Sequence, residues 1–393
     1  MITSFSPEDG GPPQAVRQLI RAYGEIGTNV EAVCLDDPGA EFLRDIECPV
    51  YALGQSFLGR YAFSPRLWRW LHANIDRYHA VVVNGIWTFP GLALCFAARR
   101  AGKPYGVFVH GALDPWFNRR YPLKHLKKLL YWPVQHTVLR HALAVFFTTE
   151  AERDLATSSF RPSQWNSVVV PYGIAQPPES RECVERQIEA FYGQMPQVRG
   201  RRFLLFLARI HEKKGCDLLL RAFAEVADAD QDMDLVIAGP DQVGMQGKLQ
   251  KMAQELGIAG RVHWPGLIDG DVKWGALRSC DALILPSHQE NFGISVVEAL
   301  AVGRPVLITR QVNIWQEVEE CGAGFADDDT FEGILRLLRR WFELDGAERA
   351  RMAARAKPCF ASRFSIARAV AAINEVFIGA KVEAADVEPV ECR

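Results

Sequence analysis

Two glutamates flank a short glycine-containing loop in the second half of the chain. Glu290 and Glu298 have seven residues between them, among them Gly293. Residues 282–285 are apolar enough for a buried strand, and the apolar periodicity of residues 294–303 predicts a helix. The first turn of a helix offers unpaired N–H groups and a positive dipole end, which suit an anion such as a diphosphate. Glu298, about one turn into this helix, could reach the hydroxyls of a ribose.

Two cations follow an earlier strand of the same half. Arg209 and Lys214 stand between a predicted strand, residues 203–208, and a predicted helix, residues 217–226. At the carboxyl end of a parallel strand, such a pair can clamp the oxygens of a diphosphate. Gly239 ends the next strand and would let a nucleotide pack on the backbone. Surface charge beside a turn is the alternative interpretation of the two cations.

A histidine occupies a comparable position in the first half. Residues 105–109 read as a buried strand that ends at His110 and Gly111. Ligands of open parallel sheets bind at the carboxyl ends of strands, so His110 is well placed for chemistry. A core or capping role for His110 is the alternative.

Composition limits the class of protein. The 393 residues are enough for two α/β domains, and a net charge of −2 does not favour nucleic acid as a partner. The nine cysteines are scattered singly, which is typical of reduced thiols in a cytoplasmic protein. We see no apolar run of 18 residues and no signal peptide. The acidic pairs near residues 228–234, 269–271 and 327–329 read as turn residues rather than metal ligands.

The segment around the two glutamates resembles a known family. The residues that carry the resemblance are Glu290-x7-Glu298, Phe292-Gly293 and Ala301-x-Gly303-x-Pro305-Val306. In this strand–loop–helix–strand setting they look like the donor-site signature of the family 4 (group 1) retaining glycosyltransferases. The resemblance implies an α/β protein of the GT-B fold. That fold has two Rossmann-like, doubly wound domains that face each other across a cleft, and a last helix that crosses back to the first domain.

The resemblance also implies a set of site residues. Four residues are predicted to be catalytic: His110, Glu290, Arg209 and Lys214. Ten are predicted to bind the nucleotide sugar: Gly10, Gly11, Gly239, Leu267, Ile268, Asn291, Phe292, Gly293, Ile294 and Glu298. In the family, the loop of Leu267 and Ile268 follows the base largely through its main chain. No cofactor is expected, and no metal ion is expected to be essential.

The domain prediction follows the rhythm of strands and helices. We expect an acceptor-side domain over residues 1–178, a nucleotide-sugar domain over 196–360, a crossover helix over 361–378 and a disordered tail over 379–393. Met1 to Phe5 is short for a first strand. We therefore expect either that this strand is shortened or that the chain starts upstream of Met1.

A basic segment in the first half favours three interpretations. Residues 115–149 contain six Lys or Arg and no acidic residue, and Leu123, Leu126 and Leu130 share one helical face. Such a helix could contact the anionic inner leaflet of a membrane through residues 119–140. It could equally place a basic face in solvent above a core stripe, or attract the phosphates of a lipid-linked acceptor.

The resemblance predicts a function. We expect retaining transfer of a hexose from a UDP- or GDP-sugar to a glycan or lipid-linked saccharide. The setting would be bacterial-type surface polysaccharide biosynthesis, in the cytoplasm or at the cytoplasmic membrane face. Two alternatives stay open: a non-catalytic nucleotide-sugar-binding partner in an assembly complex, and a nucleotide-sugar 2-epimerase. The donor base, the sugar and the acceptor stay open as well.

Overall fold

The computed structural model describes residues 1–7, 11–120 and 122–385. The chain forms two compact units. The first unit combines Met1–Ala175 with Ile366–Arg393, and the second unit is Gln176–Ser365.

The first unit alternates strands and helices. Its elements up to residue 169 are α1 (Gly11–Glu25), β1 (Ala32–Cys34), β2 (Val50–Ala52), α2 (Pro65–Asn74), β3 (Val81–Asn84), α3 (Phe89–Arg100), β4 (Tyr105–Phe108), α4 (Pro115–Arg120), α5 (Pro122–Arg140), β5 (Ala144–Phe147), α6 (Glu150–Ser159) and β6 (Ser167–Val169). Strands β3 to β6 form one parallel sheet in the order β3-β4-β5-β6, and β1 and β2 form a parallel pair.

The first three residues lie between these two sheets. The amide of Ile2 donates to the carbonyl of Val33 at 3.2 Å, and the amide of Asn84 donates to the carbonyl of Met1 at 2.8 Å. Met1 also donates its α-amino group to the carbonyl of Val82 at 2.5 Å. This short segment therefore takes the place of the predicted first strand, although it makes only one isolated bridge, from Ile2 to Asn84.

The second unit repeats the α/β rhythm. Its elements are α7 (Arg181–Gln194), β7 (Arg202–Leu207), α8 (Cys216–Val226), β8 (Met233–Ala238), α9 (Gln246–Glu255), β9 (Val262–Gly266), α10 (Gly270–Ser279), β10 (Ala282–Leu285), α11 (Ile294–Ala301), β11 (Val306–Thr309), α12 (Trp315–Cys321), β12 (Gly324–Asp327), α13 (Phe331–Glu343) and α14 (Gly346–Arg363). Every residue of β8, β10 and β11 is buried, as expected of parallel strands covered on both faces.

The strand order of the second unit reverses between β7 and β10. The six strands are parallel in the order β12-β11-β10-β7-β8-β9. The chain moves outward from β7 through β8 to β9, then returns to β10 on the other side of β7. In such sheets, a crevice opens outside the carboxyl ends of the two strands at the reversal, and ligands bind there. The loops after β7 and β10 are therefore expected to line a ligand site.

The last helix, α15 (Ile366–Ala385), belongs to the first unit. Its buried Ala369 and Ile373 pack against Phe108 and Phe146 on one face of the β3–β6 sheet. The helix continues past residue 379, where we predicted a disordered tail, so that boundary is wrong for residues 379–385. The rest of the predicted tail, residues 386–393, lies outside the described residues.

Two further boundaries differ from expectation. Helix α7 lies in the second unit, where it packs on α10, rather than between the two predicted domains. Strand β12 forms at residues 324–327, where the sequence analysis predicted no strand. Its pairing with β11 supplies the backbone hydrogen bonds of the strand, which the short, glycine-containing sequence does not predict.

The leucines of helix α5 do not form a core stripe. Leu123, Leu126 and Leu130 are 80%, 58% and 79% exposed, and Lys127 is exposed beside them. The interpretation of a solvated basic face above a core stripe is therefore wrong, because the stripe is open to solvent. Across the described residues, no helix is both long enough and apolar enough to cross a bilayer.

Candidate active site

The loop after β7 places the two predicted cations of the second unit. Lys214 ends a short 3-10 turn, Glu212–Lys214, and is 5% exposed, whereas Arg209 is half-buried and donates to the Gln242 side chain at 3.0 Å. Gly215 follows with φ of +66°. A Cβ at this position would lie 2.1 Å from the carbonyl oxygen of Pro286, just after β10. Only glycine allows the two loops to approach this closely.

The loop after β10 presents Glu290 to Lys214. The amide of Glu290 donates to the carbonyl of Gln311 at 2.9 Å, and its carbonyl accepts from the amide of Asn313 at 3.1 Å. These bonds tie the loop to the end of β11. The Glu290 carboxylate forms an ion pair with the ammonium group of Lys214. The structure thus brings two predicted catalytic residues, 76 positions apart, into direct contact.

The ionisation of Glu290 reflects this cationic setting. Burial opposes the charged form of the carboxyl group, but Lys214, Lys213 and Arg209 together outweigh it and hold the pKa of Glu290 below its usual range. Glu290 is therefore an anion at neutral pH. Lys213 was not among the predicted site residues. Its ammonium group donates to the Gln289 side chain at 3.3 Å and adds to the positive potential at this edge of the sheet.

Gly293 forms the N-terminal boundary of helix α11. Its φ of +78° turns the chain into α11, which begins four residues after Glu290. The first-turn amides of a helix have no partner within the helix, so this end can receive an anion. Ile294 begins the helix, and Asn291 lies two residues before Gly293.

One predicted donor residue cannot act through its side chain. The ring of Phe292 is 2% exposed and packs edge-on against Phe364, with the ring centroids 5.8 Å apart. That Phe292 binds the nucleotide sugar stays a prediction, and it concerns the main chain rather than the ring. Its main chain is the part that can still face a ligand, because the ring anchors the loop to the core of the unit.

Glu298 has a partner that the sequence did not suggest. It is 4% exposed in the second turn of α11, and its carboxylate accepts from the ammonium group of Lys273 at 2.7 Å. Lys273 lies in α10, with its nitrogen 4.8 Å from the Trp274 ring centroid. No local pattern could have revealed this pair, because the two residues come from different helices. The contact with Lys273 therefore holds the Glu298 side chain in a fixed position.

The remaining donor residues lie at the ends of β8 and β9. Gly239 donates its amide to the carbonyl of Gly266 at 2.8 Å, which joins the ends of the two strands. Leu267 is 66% exposed, whereas Ile268 is 4% exposed. Of these two predicted base contacts, only Leu267 offers its side chain to solvent.

In the first unit, His110 is enclosed by aromatic rings. It lies between Phe108 and Tyr172, with ring centroids 5.5 and 5.4 Å away. Burial lowers the pKa of His110 to about 3, so the ring is neutral at physiological pH. Its Nε2 lies 3.1 Å from Oδ1 of Asn84, whose Nδ2 donates to the carbonyl of Met1. This arrangement favours the Nε2–H tautomer and leaves Nδ1 as an acceptor.

A buried carboxylate holds the loop that carries His110. Glu152 of α6 accepts from the amide of Gly111 at 2.5 Å and from the amide of Thr148 at 2.6 Å. It therefore joins the ends of β4 and β5. Sequence analysis did not single out Glu152, because an acidic residue in the first turn of a helix usually serves only as a helix-end charge.

Two predictions concern the start of the chain and metal ions. Gly11 is the first residue of α1, and Gly10 lies outside the described residues. Within the described ranges there is no cluster of three or more His, Cys, Asp or Glu placed to hold a metal ion. The metal-independent reaction stays a prediction.

The same two halves match two family profiles. Residues 190–358 match the profile described as glycosyl transferases group 1, and residues 10–173 match the profile described as glycosyl transferase 4-like domain. The chain belongs to the family 4 (group 1) glycosyltransferases. The family prediction is therefore confirmed.

Similar curated proteins carry several transferase names. A 2-deoxystreptamine glucosyltransferase of Streptomyces kanamyceticus is 28% identical over 53% of this chain and 54% of its own length. A D-inositol 3-phosphate glycosyltransferase of Streptomyces avermitilis is 32% identical over 40% of this chain and 36% of its own length. The chain thus spans about half or less of these relatives. A Mycobacterium tuberculosis GDP-mannose-dependent phosphatidylinositol dimannoside mannosyltransferase is 24% identical over 72% of this chain and 71% of its own length.

Solved structures confirm the fold. Anabaena HepE, in complex with UDP and glucose, has a TM-score of 0.75 at 19% identity, covering 96% of this chain and 98% of that chain. WaaG, a glycosyltransferase involved in lipopolysaccharide biosynthesis, has a TM-score of 0.66 at 16% identity, covering 93% and 96%. The predicted GT-B fold, an α/β architecture with parallel sheets in two Rossmann-like domains, is therefore confirmed.

Proposed function

We propose that this protein is a retaining glycosyltransferase that moves a hexose from a nucleotide sugar to a glycan or lipid-linked saccharide. The observation that supports this best is the Lys214–Glu290 pair beside Arg209 and the start of α11. Cations and helix amides suit the diphosphate of the donor, and a fixed carboxylate suits the hydroxyls of its sugar. These groups lie at the strand-order reversal of the second unit, where parallel sheets bind ligands.

The proposed chemistry depends on charge that is placed before the reaction. As the bond to the anomeric carbon breaks, negative charge develops on the leaving diphosphate. Removing one preorganised group that stabilises such charge typically costs about 3–4 kcal/mol of the barrier. Arg209, Lys214 and the first amides of α11 would stabilise this charge, and a diphosphate oxygen would accept the proton of the attacking hydroxyl. Glu298 would hold the ribose, and His110 stays the predicted catalytic residue of the first unit.

The hexose donor is proposed as a UDP- or GDP-sugar. Support comes from the names of the similar proteins, which include a glucosyltransferase, a GDP-mannose-dependent enzyme and HepE bound to UDP. WaaG acts in lipopolysaccharide biosynthesis, which favours a role in bacterial-type surface polysaccharide biosynthesis on the cytoplasmic side. Donor turnover in this account needs no metal ion.

A donor screen tests the proposal. UDP-, GDP- and ADP-sugars are titrated into the protein by calorimetry, and the donor that binds is incubated with saccharide acceptors. We expect one nucleotide to bind and its hexose to be transferred with the anomeric configuration retained. Donor binding without turnover would instead identify a non-catalytic partner, and release of the free 2-epimer would identify an epimerase.

We also propose that helix α5 contacts the inner leaflet of a membrane. Its exposed Leu123, Leu126 and Leu130 lie on the same helix as Lys124 and Lys127, which are exposed as well. This combination fits an anionic bilayer surface, where leucines enter the boundary region and lysines face the headgroups.

Vesicle sedimentation tests this contact. We expect binding to vesicles of phosphatidylcholine with phosphatidylglycerol, and little binding to phosphatidylcholine alone. A Leu123→Gln/Leu130→Gln variant should bind the anionic vesicles at least about tenfold more weakly, because each buried leucine contributes about 1.5–3 kcal/mol. Leu256→Gln is the matched control, since Leu256 is also exposed but lies after α9. Equal binding by all variants would exclude this helix as the contact.

A further inference from the structure

A cavity of about 910 Å³ lies within the first unit, at the carboxyl end of β3. Its walls come from five segments: residues 2–4, the first turn of α1, the loop around residues 56–62, the end of β3 with the loop that follows it, and the middle of helix α5. Asn84, the last residue of β3, is one of the lining residues, and its Oδ1 lies 3.1 Å from Nε2 of His110. The cavity therefore reaches the hydrogen-bond partner of a proposed catalytic residue.

The cavity also occupies the point where the strand order of the first unit reverses. Residues 1–3 bond to β1 on one side and to β3 on the other. This is the position at which a doubly wound sheet opens a crevice for a ligand. The second unit uses its own reversal for the proposed donor site, so the cavity of the first unit is available for the other substrate.

The charged lining of this cavity is cationic. The charged side chains among its lining residues are Arg60, Lys127 and Lys128. Arg60 and Lys127 form no ion pair with a carboxylate among the described residues. Burial, together with the neighbouring charge of Lys124, lowers the pKa of Lys128. An anion placed among these three groups would offset both the cost of burying the Lys128 ammonium group and the repulsion between the cations.

The rest of the lining suits a sugar ring. Tyr61 and Tyr131 meet edge-on with centroids 5.8 Å apart, and their hydroxyls lie 3.3 Å from each other. The ammonium group of Lys128 lies 4.8 Å from the centroid of the Trp87 ring. The indole N–H of Trp87 donates to the carbonyl of Ala112. Such fixed aromatic surfaces pack against the apolar face of a pyranose, while their polar ends meet hydroxyls. Thr3, Ser4, Ser56 and Thr88 add hydroxyls to the lining.

We infer that this cavity binds the acceptor, and that the acceptor is a saccharide bearing a phosphate or diphosphate group. Lys127, Lys128 and Arg60 hold the phosphate, and the aromatic lining holds the sugar. Calling this ligand the acceptor rests on the proposed function. The inference that the cavity binds a phosphorylated saccharide does not. The phosphate could belong to a soluble sugar phosphate or to the diphosphate of a lipid-linked saccharide. Both sources share the same recognition by the three cations.

Calorimetry on the full chain tests the assignment. UDP is first added in excess to occupy the nucleotide site of the second unit. Glucose 6-phosphate, glucose and a lipid-linked saccharide diphosphate in detergent micelles are then titrated separately. We expect at least one phosphorylated compound to bind about tenfold or more tightly than glucose, and the advantage to fall as salt is added. The compound that binds more tightly identifies the source of the phosphate.

Variants of one helix provide the control. Lys127→Met/Lys128→Met keeps the apolar stems but removes both charges, and we expect it to lose the preference for phosphate. Arg140→Ala removes a charge from the exposed end of the same helix, outside the cavity, and should keep the preference. Thermal unfolding checks that both variants fold. If glucose binds as tightly as both phosphorylated compounds, or if Arg140→Ala loses the preference equally, the assignment is wrong.

The two proposals can fail separately. If UDP and the other nucleotides do not bind, the transferase proposal fails, while charge-dependent binding of the phosphorylated saccharide still supports the cavity. If nucleotides bind and are turned over but the cavity variants change nothing, the cavity assignment fails alone. UDP affinity should be the same in Lys127→Met/Lys128→Met and in the wild type.

Discussion

Replacing Lys214 by methionine tests the site where it is most tightly built. Methionine keeps most of the side-chain volume and removes the charge. Lys214 and Glu290 have side-chain exposures of 7% and 22%, so the variant leaves a largely buried carboxylate without its nearest cation. Breaking a fully buried ion pair costs about 3–5 kcal/mol. Since Glu290 retains some solvent and the field of Lys213 and Arg209, we expect a loss of about 2 kcal/mol in the free energy of unfolding.

The loss of nucleotide binding should be larger than this structural effect alone explains. A hydrogen bond between a charged donor and an anion is worth about 1.5–3 kcal/mol, so affinity should fall about 10- to 100-fold. The double variant Lys214→Met/Glu290→Gln removes both charges and should recover most of the unfolding free energy. It should not recover binding, because the diphosphate still lacks its cation. This comparison separates a failure to fold from a failure to bind.

The pH dependence of stability offers a second measurement on the same pair. The pKa of Glu290 lies below its unfolded value, so the pair contributes stability at neutral pH. That contribution is lost as pH falls through the folded pKa of Glu290. In Lys214→Met the pKa of Glu290 should rise, and the acid-induced loss should begin at a higher pH.

Calorimetry with the nucleotide that binds the wild type best, together with thermal unfolding from pH 4 to 8, provides the assay. If Lys214→Met binds that nucleotide with wild-type affinity while it unfolds cooperatively, Lys214 does not hold the diphosphate. The central reasoning about the second unit would then be refuted.

Three further predictions concern other parts of the proposed site. His110→Ala should lower kcat far more than donor affinity, and wild-type activity in this variant would show that His110 has no role in the reaction. Because the pKa of His110 is about 3, its ring should not titrate between pH 5 and 8, which NMR of the ring protons can check. Glu298→Ala should lose nucleotide binding, whereas Lys251→Ala, a change on the surface of α9, should not. Equal calorimetric affinities of these two variants for the nucleotide would contradict the role of Glu298 in binding the ribose. Activity should persist in EDTA, and a strict Mg²⁺ requirement would reject the metal-independent account.

Much of the fold followed from periodicity alone. The strands at residues 282–285 and 105–109 are short apolar runs, and each was predicted within one residue of its observed bounds. Buried parallel strands have this composition because helices cover both faces. Strand β12 was missed because Gly324 and the acidic end of the strand lack that signature. Its neighbour β11 supplies the pairing that the local sequence does not predict.

The site residues divide in the same way. The types and spacing of Arg209, Lys214, Glu290 and Glu298 indicated a diphosphate and a sugar, because the first three follow strands and Glu298 lies about one turn into a helix. The contact between Lys214 and Glu290 could not be predicted, since it depends on Gly215 passing within reach of the Pro286 carbonyl. The Lys273–Glu298 pair likewise joins two helices whose packing no local pattern describes.

By itself, the sequence determined the alternation of strands and helices, the family and the residue types that surround a nucleotide sugar. Local periodicity and turn residues carry that information, because they depend on neighbours along the chain. Only the tertiary structure decided that Leu123 and Leu130 face solvent, that Phe292 is an anchor, and that Lys127 and Lys128 line a cavity. A helical stripe shows which side of a helix is apolar, but what covers that side depends on segments that are distant in sequence and close in space.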